Sequence, residues 1–378
     1  MDINKRDTAA TAKRYWVRLT RTCNNGCIFC LDKEAQDGTF LSMPRITSDL
    51  RKGRHSNIKR VVLSGGEPTM HPRFLEVVAT AKRIGYEHIQ VITNGRLFAY
   101  SGLLEQALDE GVREITFSIH GHTRKLHDKQ TKVSGSFKQS LTGLINALKT
   151  KRVITNVDIV VNKINVMHLE DIIKFYINIG VYEFDLLQVV PFGRAWENRK
   201  KILYDIAKAL PYLEKAFNLS KNPSLYIWTN RFPPAYLEGF EELIQHPYKL
   251  FDEVNGRRKT FFDYLIKSID LFCYGQRCRF CFLEDFCKDL ISLKKRGVLY
   301  AKKIPPCING LPNKRQGSKL LYSDVVGRKK VALEKLCKFY INNRYFVKGK
   351  SCQECKLSSF CSGAPIGFVR HKGFPKLI

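Results

Sequence analysis

Hydrophobic positions in the first half of the chain form short apolar runs that alternate with amphipathic stretches. A run of about six apolar residues predicts a buried strand, and apolar residues three or four positions apart predict a helix. By these criteria strands and helices alternate from Tyr15 to about Val190. The predicted strands are 15–20, 59–63, 88–93, 114–119, 155–161 and 182–190, and the predicted helices are 47–56, 72–84, 101–110, 136–150 and 167–179.

Six strand–helix units in succession predict a parallel sheet with right-handed crossovers. Six units are too few for a closed eight-stranded barrel, so we predict an α/β fold that begins with a partial (β/α)6 barrel. Functional residues are then expected in the loops at the carboxyl ends of the strands.

The alternation stops after Ala195, which predicts a change of architecture. We expect an N-terminal segment (1–14), the barrel core (15–195), a helical bridging region (196–270) and a smaller cysteine-rich α+β domain (271–378). No run of about 18 apolar residues predicts a membrane span, and the N-terminus lacks the apolar stretch of a secretion signal. These features predict a cytoplasmic protein.

The twelve cysteines are strongly clustered, which in a reducing compartment points to metal binding rather than disulfides. Cys23, Cys27 and Cys30 lie within eight residues, directly after the first predicted strand, and no cysteine occurs between Cys30 and Cys273. A structural zinc site or an ordinary iron-sulfur cluster uses four ligands. Three thiols would leave one iron of a [4Fe-4S] cluster open to a further ligand.

A second motif, Ser64-Gly65-Gly66-Glu67-Pro68, follows the second predicted strand. Together the two motifs closely resemble those of the radical S-adenosylmethionine (SAM) superfamily. In that superfamily a Cys-x3-Cys-x-aromatic-Cys loop follows the first strand and Gly-Gly-Glu-Pro ends the second. The alternative is a three-cysteine zinc loop beside an unrelated glycine turn.

The resemblance implies that the three loop cysteines hold a catalytic [4Fe-4S] cluster whose open iron binds SAM. The glycines after the second strand are expected to let a ligand backbone pass close. For some polar residues, including Asn94 and Asn162, a loop-capping role is the alternative. The residues expected to bind SAM are Gly65, Gly66 and Glu67 for the amino group, Ser118 and Asn162 for the carboxylate and ribose, and Phe29, Phe192 and Gly193 for the adenine.

Three histidines, His120, His122 and His127, follow the fourth predicted strand. In the related enzymes such a stretch is mostly structural, so we expect His127 and Asp128 to form hydrogen bonds within the loop. His120 is the one that could face the barrel mouth as a donor.

The nine remaining cysteines contain one spacing twice, Cys-x2-Cys-x5-Cys. This spacing resembles the auxiliary-cluster ligands of SPASM and twitch extensions, although Pro365 stands where the last cysteine of that pattern usually lies. Cys337 is left over, and it could replace Cys307 or Cys273; two zinc knuckles are the alternative. The expected ligand sets are Cys273, Cys278, Cys281 and Cys287 for one [4Fe-4S] cluster and Cys307, Cys352, Cys355 and Cys361 for the other.

The resemblance implies an enzyme that receives an electron from a flavodoxin- or ferredoxin-type donor and cleaves SAM to a 5′-deoxyadenosyl radical. That radical would abstract hydrogen from a substrate, with the auxiliary clusters accepting an electron, binding substrate or stabilising their domain. SPASM-type extensions most often accompany peptide or protein substrates.

The charge of the chain suggests a different substrate class. The formal net charge is +29, and the stretch from Lys288 to Ile378 has 21 Lys or Arg against four acids. Such an excess suits RNA or another phosphate-bearing substrate, or it is a solvated basic face. A non-catalytic zinc or iron-sulfur binding module is a third alternative, against which the intact cysteine and glycine motifs argue.

Overall fold

The computed structural model describes residues 13–32, 36–308, 317–327 and 330–376. Most of the N-terminal segment predicted at 1–14 lies outside the described residues. The chain divides into two compact units, which we call the barrel unit (Ala12–Asn230) and the cysteine-rich unit (Arg231–Ile378).

The barrel unit is built on one parallel sheet in which each strand pairs with the next one along the chain. Its register places Val17 opposite Leu63 and Phe117 opposite Val157. All four side chains are almost fully buried. The strands are β1 (Arg14–Thr20), β2 (Arg60–Gly65), β3 (His88–Thr93), β4 (Val112–Ser118), β5 (Ile154–Val161), β6 (Glu183–Gln188) and β7 (Tyr226–Asn230).

Helices follow the strands, as the sequence pattern predicts, and most of them bury one apolar side. In the helix after β5, for example, Ile172, Ile173 and Tyr176 are completely buried. Burying one such side chain contributes about 1.5–3 kcal/mol. The helices are α1 (Met43–His55), α2 (Phe74–Arg83), α3 (Ser101–Glu110), α4 (Arg124–Thr131), α5 (Ser136–Thr150), α6 (Leu169–Asn178), α7 (Arg194–Glu197), α8 (Arg199–Ile202) and α9 (Ile206–Asn218).

The predicted α/β fold with a parallel sheet is confirmed, but the described sheet has seven strands rather than six. The additional strand, β7, lies within the stretch predicted as a bridging region. It is parallel to β6, with Ile227 opposite Phe184. Only alternate side chains of β7 are buried, so its sequence lacks the continuous apolar run that marks the central strands.

The cysteine-rich unit combines helices with two short antiparallel strand pairs, which confirms the predicted α+β class. Its core contains Phe261, Phe286 and Tyr340, and the rings of Phe286 and Tyr340 meet edge to face at 5.4 Å. The pairs are β8 (Val298–Tyr300) with β9 (Lys319–Leu321) and β10 (Phe346–Val347) with β11 (Ala364–Pro365). The helices are α10 (Leu250–Gly256), α11 (Arg258–Lys267), α12 (Glu284–Arg296), α13 (Tyr322–Val325), α14 (Leu333–Asn343) and α15 (Ile366–Lys372).

Within the described ranges, no helix has both the length and the apolar character needed to cross a membrane.

Candidate active site

The loop Cys23–Cys30, here called the cysteine loop, follows β1 and is fixed by main-chain hydrogen bonds. Gly26 N–H donates to the Thr131 carbonyl (2.8 Å) and Ile28 N–H to the Gln130 carbonyl (2.9 Å), both at the end of α4. From the other side, Arg194 N–H at the start of α7 donates to the Cys30 carbonyl (2.9 Å). The loop is therefore held between the segments that follow β4 and β6.

Side chains after β3 brace the same loop. Asn94 Nδ2 donates to Asn24 Oδ1 (2.6 Å), and Arg96 Nη1 donates to Asn25 Oδ1 (3.0 Å). The loop-capping alternative for Asn94 thus describes part of what the structure shows. Sequence reasoning missed Arg96 and Gln130, since neither belongs to a motif and no local signal places either beside the cysteines.

The three thiols of the cysteine loop lie close enough to influence one another. Burial, and secondarily Glu67 and Cys30, raise the pKa of Cys23 to about 11. Burial, followed by Cys23 and Cys30, also raises the pKa of Cys27. As thiolates these three sulfurs would be buried negative charges close to one another, and a bound metal would compensate that charge.

Donors already point at two of the sulfurs. Asn25 N–H donates to Cys23 Sγ and Gln36 Nε2 donates to Cys30 Sγ, both at 3.4 Å. Hydrogen bonds to thiolate sulfurs are one of the means by which proteins tune iron-sulfur clusters. Among the described residues, no group of three His, Cys, Asp or Glu side chains is arranged to hold a single metal ion. The ligand type, ligand number and donors nevertheless fit an iron-sulfur cluster.

The two glycines after β2 are required by the chain's own backbone. A Cβ on Gly65, whose φ is +148°, would lie 2.5 Å from the Thr20 carbonyl oxygen, and one on Gly66 would lie 2.2 Å from that of Thr22. Gly66 N–H and Glu67 N–H donate to the same two carbonyls at 2.8 Å. The close approach that we expected from a ligand is, in this structure, made by the segment entering the cysteine loop.

The Glu67 side chain is buried and ties the ends of β2 and β3 together. Oε1 accepts hydrogen bonds from Thr69 N–H (3.0 Å) and Thr93 Oγ1 (2.7 Å), and Oε2 accepts one from Asn94 N–H (2.7 Å). Burial raises the pKa of this carboxyl, although these hydrogen bonds oppose the shift. A contact of the carboxylate with SAM stays a prediction, beside this structural role.

Ser118 and Asn162, the residues expected to hold the SAM carboxylate and ribose, lie in different environments. Ser118 is half-buried and donates to Asp158 Oδ2 (3.1 Å) on the neighbouring strand. Asn162 is completely buried, donates to Gln130 Oε1 (2.7 Å) and accepts from Ile164 N–H (2.9 Å). The geometry favours the loop-capping alternative for Asn162, and its contact with SAM stays a prediction.

The predicted aromatic and histidine positions near the cysteine loop are mostly engaged in contacts within the protein. Phe29 packs edge to face against the buried His120 ring at 4.6 Å. His127 Nδ1 accepts from His120 N–H (3.2 Å), and Asp128 accepts from Gly135 and Phe137 N–H at 2.8 Å, so the predicted hydrogen bonds within this loop are confirmed. Burial places the pKa of His120 well below its usual range.

Phe192 and Gly193 lie in the turn after β6, on the side of the cysteine loop that Arg194 contacts. Gly193 has φ +53°, and a Cβ there would lie 2.5 Å from the Cys30 carbonyl oxygen. The turn therefore packs directly on the cysteine loop. An adenine contact of these two residues stays a prediction.

Cysteines of the cysteine-rich unit form two groups, here called the first and second quartets. In the first quartet, burial and then Cys281, Cys273 and Cys278 raise the pKa of Cys287. In the second, burial and then Cys361, Cys352 and Cys355 raise the pKa of Cys307.

Cys337 is set apart from both quartets. It is buried in the hydrophobic core, where burial followed by Glu334 raises its pKa to about 12 and no cysteine contributes. The grouping matches the expected ligand sets, and ligation itself stays a prediction.

Comparison with known proteins adds independent information. Residues 17–176 match the family model described as the radical SAM superfamily. The chain is 32% identical over 178 residues to a probable GTP 3′,8-cyclase of Saccharolobus solfataricus, a match that covers 47% of this chain and 57% of that relative. A probable GTP 3′,8-cyclase of Sulfurisphaera tokodaii is 30% identical over 221 residues, which cover 58% of this chain and 68% of the relative.

Solved structures resemble the fold over a longer stretch at low identity. Streptococcus suis SuiB bound to the precursor peptide SuiA aligns with a TM-score of 0.50 and 13% identity, covering 99% of this chain and 77% of SuiB. The anSMEcpe structure with bound AdoMet and Kp18Cys peptide aligns with the same TM-score and identity, covering 96% of this chain and 92% of the other. The family match, the Sulfurisphaera relative and the cysteine loop agree: the chain belongs to the radical SAM superfamily of iron-sulfur, S-adenosylmethionine-dependent enzymes.

Proposed function

We propose that this enzyme acts on a peptide or protein, with a SAM-binding [4Fe-4S] cluster on the cysteine loop and an auxiliary [4Fe-4S] cluster on each quartet. The observation that carries the auxiliary clusters is the grouping of eight C-terminal cysteines into two sets of four, each of which contains the spacing Cys-x2-Cys-x5-Cys. Four thiolates complete the ligation of a cubane cluster, whereas the three of the cysteine loop leave one iron open.

When bound, the open cluster and SAM supply an electron and the radical that removes hydrogen from the substrate. The chain's own contribution is positioning. Main-chain bonds to Gly26, Ile28 and Cys30 hold the loop in place, and Glu67 links the neighbouring strand ends. Ser118 and the turn at Phe192–Gly193 lie at the carboxyl ends of β4 and β6, where we expect the rest of SAM to bind.

Complete ligation of the quartets favours an electron-transfer or stabilising role over direct substrate binding. Arg257 lies near the first quartet, and its charge opposes the burial that raises the pKa of Cys281. Such a cation would also offset part of the charge of a four-thiolate cluster.

The peptide assignment is supported by the two peptide-bound neighbours, which align with almost the whole chain, the cysteine-rich unit included. A second candidate is a phosphate-bearing substrate of the nucleotide type. It is favoured by the name of the relatives, probable GTP 3′,8-cyclase, and by the +29 charge of the chain. Those relatives align with only about half of this chain.

Isotope transfer separates the two candidates. The protein is reconstituted anaerobically, its iron is counted, and 5′-deoxyadenosine is assayed with SAM, a strong reductant and either deuterated peptides or deuterated GTP. We expect about twelve irons per chain, four for each cubane, and deuterium transfer from the peptide pool. Transfer from GTP alone would replace the peptide assignment by the nucleotide one, and about four irons with bound zinc would refute the auxiliary clusters.

A further inference from the structure

Three arginines lie around the cysteine loop, and they differ in what their guanidinium groups contact. Arg18 forms an ion pair with Asp32 (2.7 Å). Arg96 donates to Asn25 Oδ1 (3.0 Å) and Gln139 Oε1 (2.7 Å). Arg194 is half-buried, and within the described ranges no carboxylate or other acceptor pairs with its guanidinium.

The main chain fixes where Arg194 lies. Its N–H donates to the Cys30 carbonyl (2.9 Å), and the preceding Gly193 packs against the same carbonyl. Its Nη1 atom lies 3.8 Å from the position that a Cβ on Gly26 would occupy, one residue before Cys27. The guanidinium is therefore held over the middle of the cysteine loop.

This placement brings a positive charge beside two of the three sulfurs. The main chain of Arg194 is bonded to Cys30, and its guanidinium lies beside Gly26, the neighbour of Cys27. A group that favours thiolate over thiol also favours any further negative charge at the same place.

We propose that Arg194 raises the reduction potential of the cluster on the cysteine loop by presenting an uncompensated positive charge to it. The inference rests on the proposed function, because it takes Cys23, Cys27 and Cys30 as the cluster ligands. Reduction adds one electron from the external donor and forms or breaks no bond, so the cluster gains one unit of negative charge. A fixed cation stabilises that reduced form more than the oxidised one. In this role Arg194 is a positioning and tuning residue that need not contact the substrate.

The test is a redox titration followed by electron paramagnetic resonance on the reconstituted full-length protein. The signal of interest is identified as the one absent from Cys27→Ala. In Arg194→Gln we expect the ratio of reduced to oxidised cluster at a fixed potential to fall about tenfold, which equals about 59 mV for a one-electron couple. Arg194→Lys keeps the charge and should stay near the wild-type potential. The matched control is Arg113→Gln, which removes a positive charge at the amino end of β4, at the opposite end of the strands from the cysteine loop, and should leave the potential unchanged.

Each outcome separates the inference from the proposed function. A wild-type protein without a SAM-responsive cluster refutes the proposed function. A wild-type protein that has the cluster, with an Arg194→Gln potential unchanged, refutes the inference alone. Weaker SAM binding at an unchanged potential would make Arg194 a SAM-binding residue and would also refute the inference. If Arg194→Gln binds no iron but Arg194→Lys does, the charge is needed for cluster assembly rather than for the potential, and the inference is wrong in its stated form. If neither variant binds iron, the residue is structural and the inference is also wrong.

Discussion

The cysteine loop of the barrel unit and the quartets of the cysteine-rich unit present the same ligand in different settings. The cysteine loop receives main-chain hydrogen bonds at Gly26, Ile28 and Cys30 from distant parts of the chain. In the quartets the main-chain hydrogen bonds of the cysteines are local, for example from Cys281 N–H to the Cys278 carbonyl (2.8 Å) and from Cys361 N–H to the Leu357 carbonyl (2.9 Å). The first site is held by its scaffold, whereas the quartets depend more on what they bind.

Because of this difference, we expect the two units to respond differently to metal removal. Metal removal should leave the barrel unit folded, since its sheet and helices supply the contacts. The cysteine-rich unit should lose stability, because ligation couples to folding where local structure is sparse.

The largest expected effect comes from Cys27→Ala in the cysteine loop. We expect SAM cleavage to be abolished while about eight of about twelve irons remain, since each quartet keeps its four ligands. Iron analysis and a 5′-deoxyadenosine assay measure both. Retained cleavage would contradict the assignment of the loop as the catalytic ligand set.

Cys281→Ala in the first quartet should have the opposite profile. We expect loss of about four irons and a lower melting temperature, with SAM cleavage retained in the absence of substrate. Iron content and calorimetry test this, with Cys27→Ala as the matched control. An unchanged melting temperature would argue that the quartet contributes nothing to the fold.

Glycine substitutions compare the scaffolds of the two units directly. Gly65→Ala places a Cβ 2.5 Å from the Thr20 carbonyl oxygen, and Gly363→Ala places one 2.1 Å from that of Val347, both at positive φ. Each should lower the free energy of unfolding by about 2–3 kcal/mol. The control is Gly102→Ala in α3, where a Cβ would meet nothing within 4 Å. Denaturant unfolding measures all three variants. If Gly65→Ala were as stable as this control, the close approach at Gly65 would not constrain the fold.

Acid should weaken the barrel unit through a buried histidine. Burial lowers the pKa of His127 to about 4, against 6.5 for the unperturbed group. The unfolded state therefore binds more protons between these values, and stability falls as the pH is lowered, by about 1.4 kcal/mol per pH unit. Denaturation of wild type and His127→Phe from pH 7 to 5 measures the slope, which the substitution should reduce.

The smallest effect is expected for Cys337→Ala. Cys337 is 1% exposed inside the core of the cysteine-rich unit, so truncation should cost about 1 kcal/mol and leave the iron content unchanged. Loss of about four irons would instead make Cys337 a cluster ligand in place of Cys307 or Cys273.

The sequence by itself determined the local features of this protein. Strand–helix alternation predicted the parallel sheet, because the strands are rich in apolar residues and most of the helices have one apolar side. The cysteine loop and the Gly65–Glu67 motif identified the family, since their residues are close in sequence. The sequence did not predict strand β7, because the strand has only 5 residues and only Ile227 and Thr229 in it are buried.

Only the tertiary structure decided which distant residues meet at the site. Gln130, Arg96 and Arg194 reach the cysteine loop from segments that follow three different strands, and no local pattern marks them. The fold also showed that Gly65 and Gly66 accommodate the chain's own backbone and that Asn162 is fully buried. The physical reason is that the carboxyl ends of parallel strands converge at one edge of a sheet, so contacts there join residues that the sequence keeps far apart.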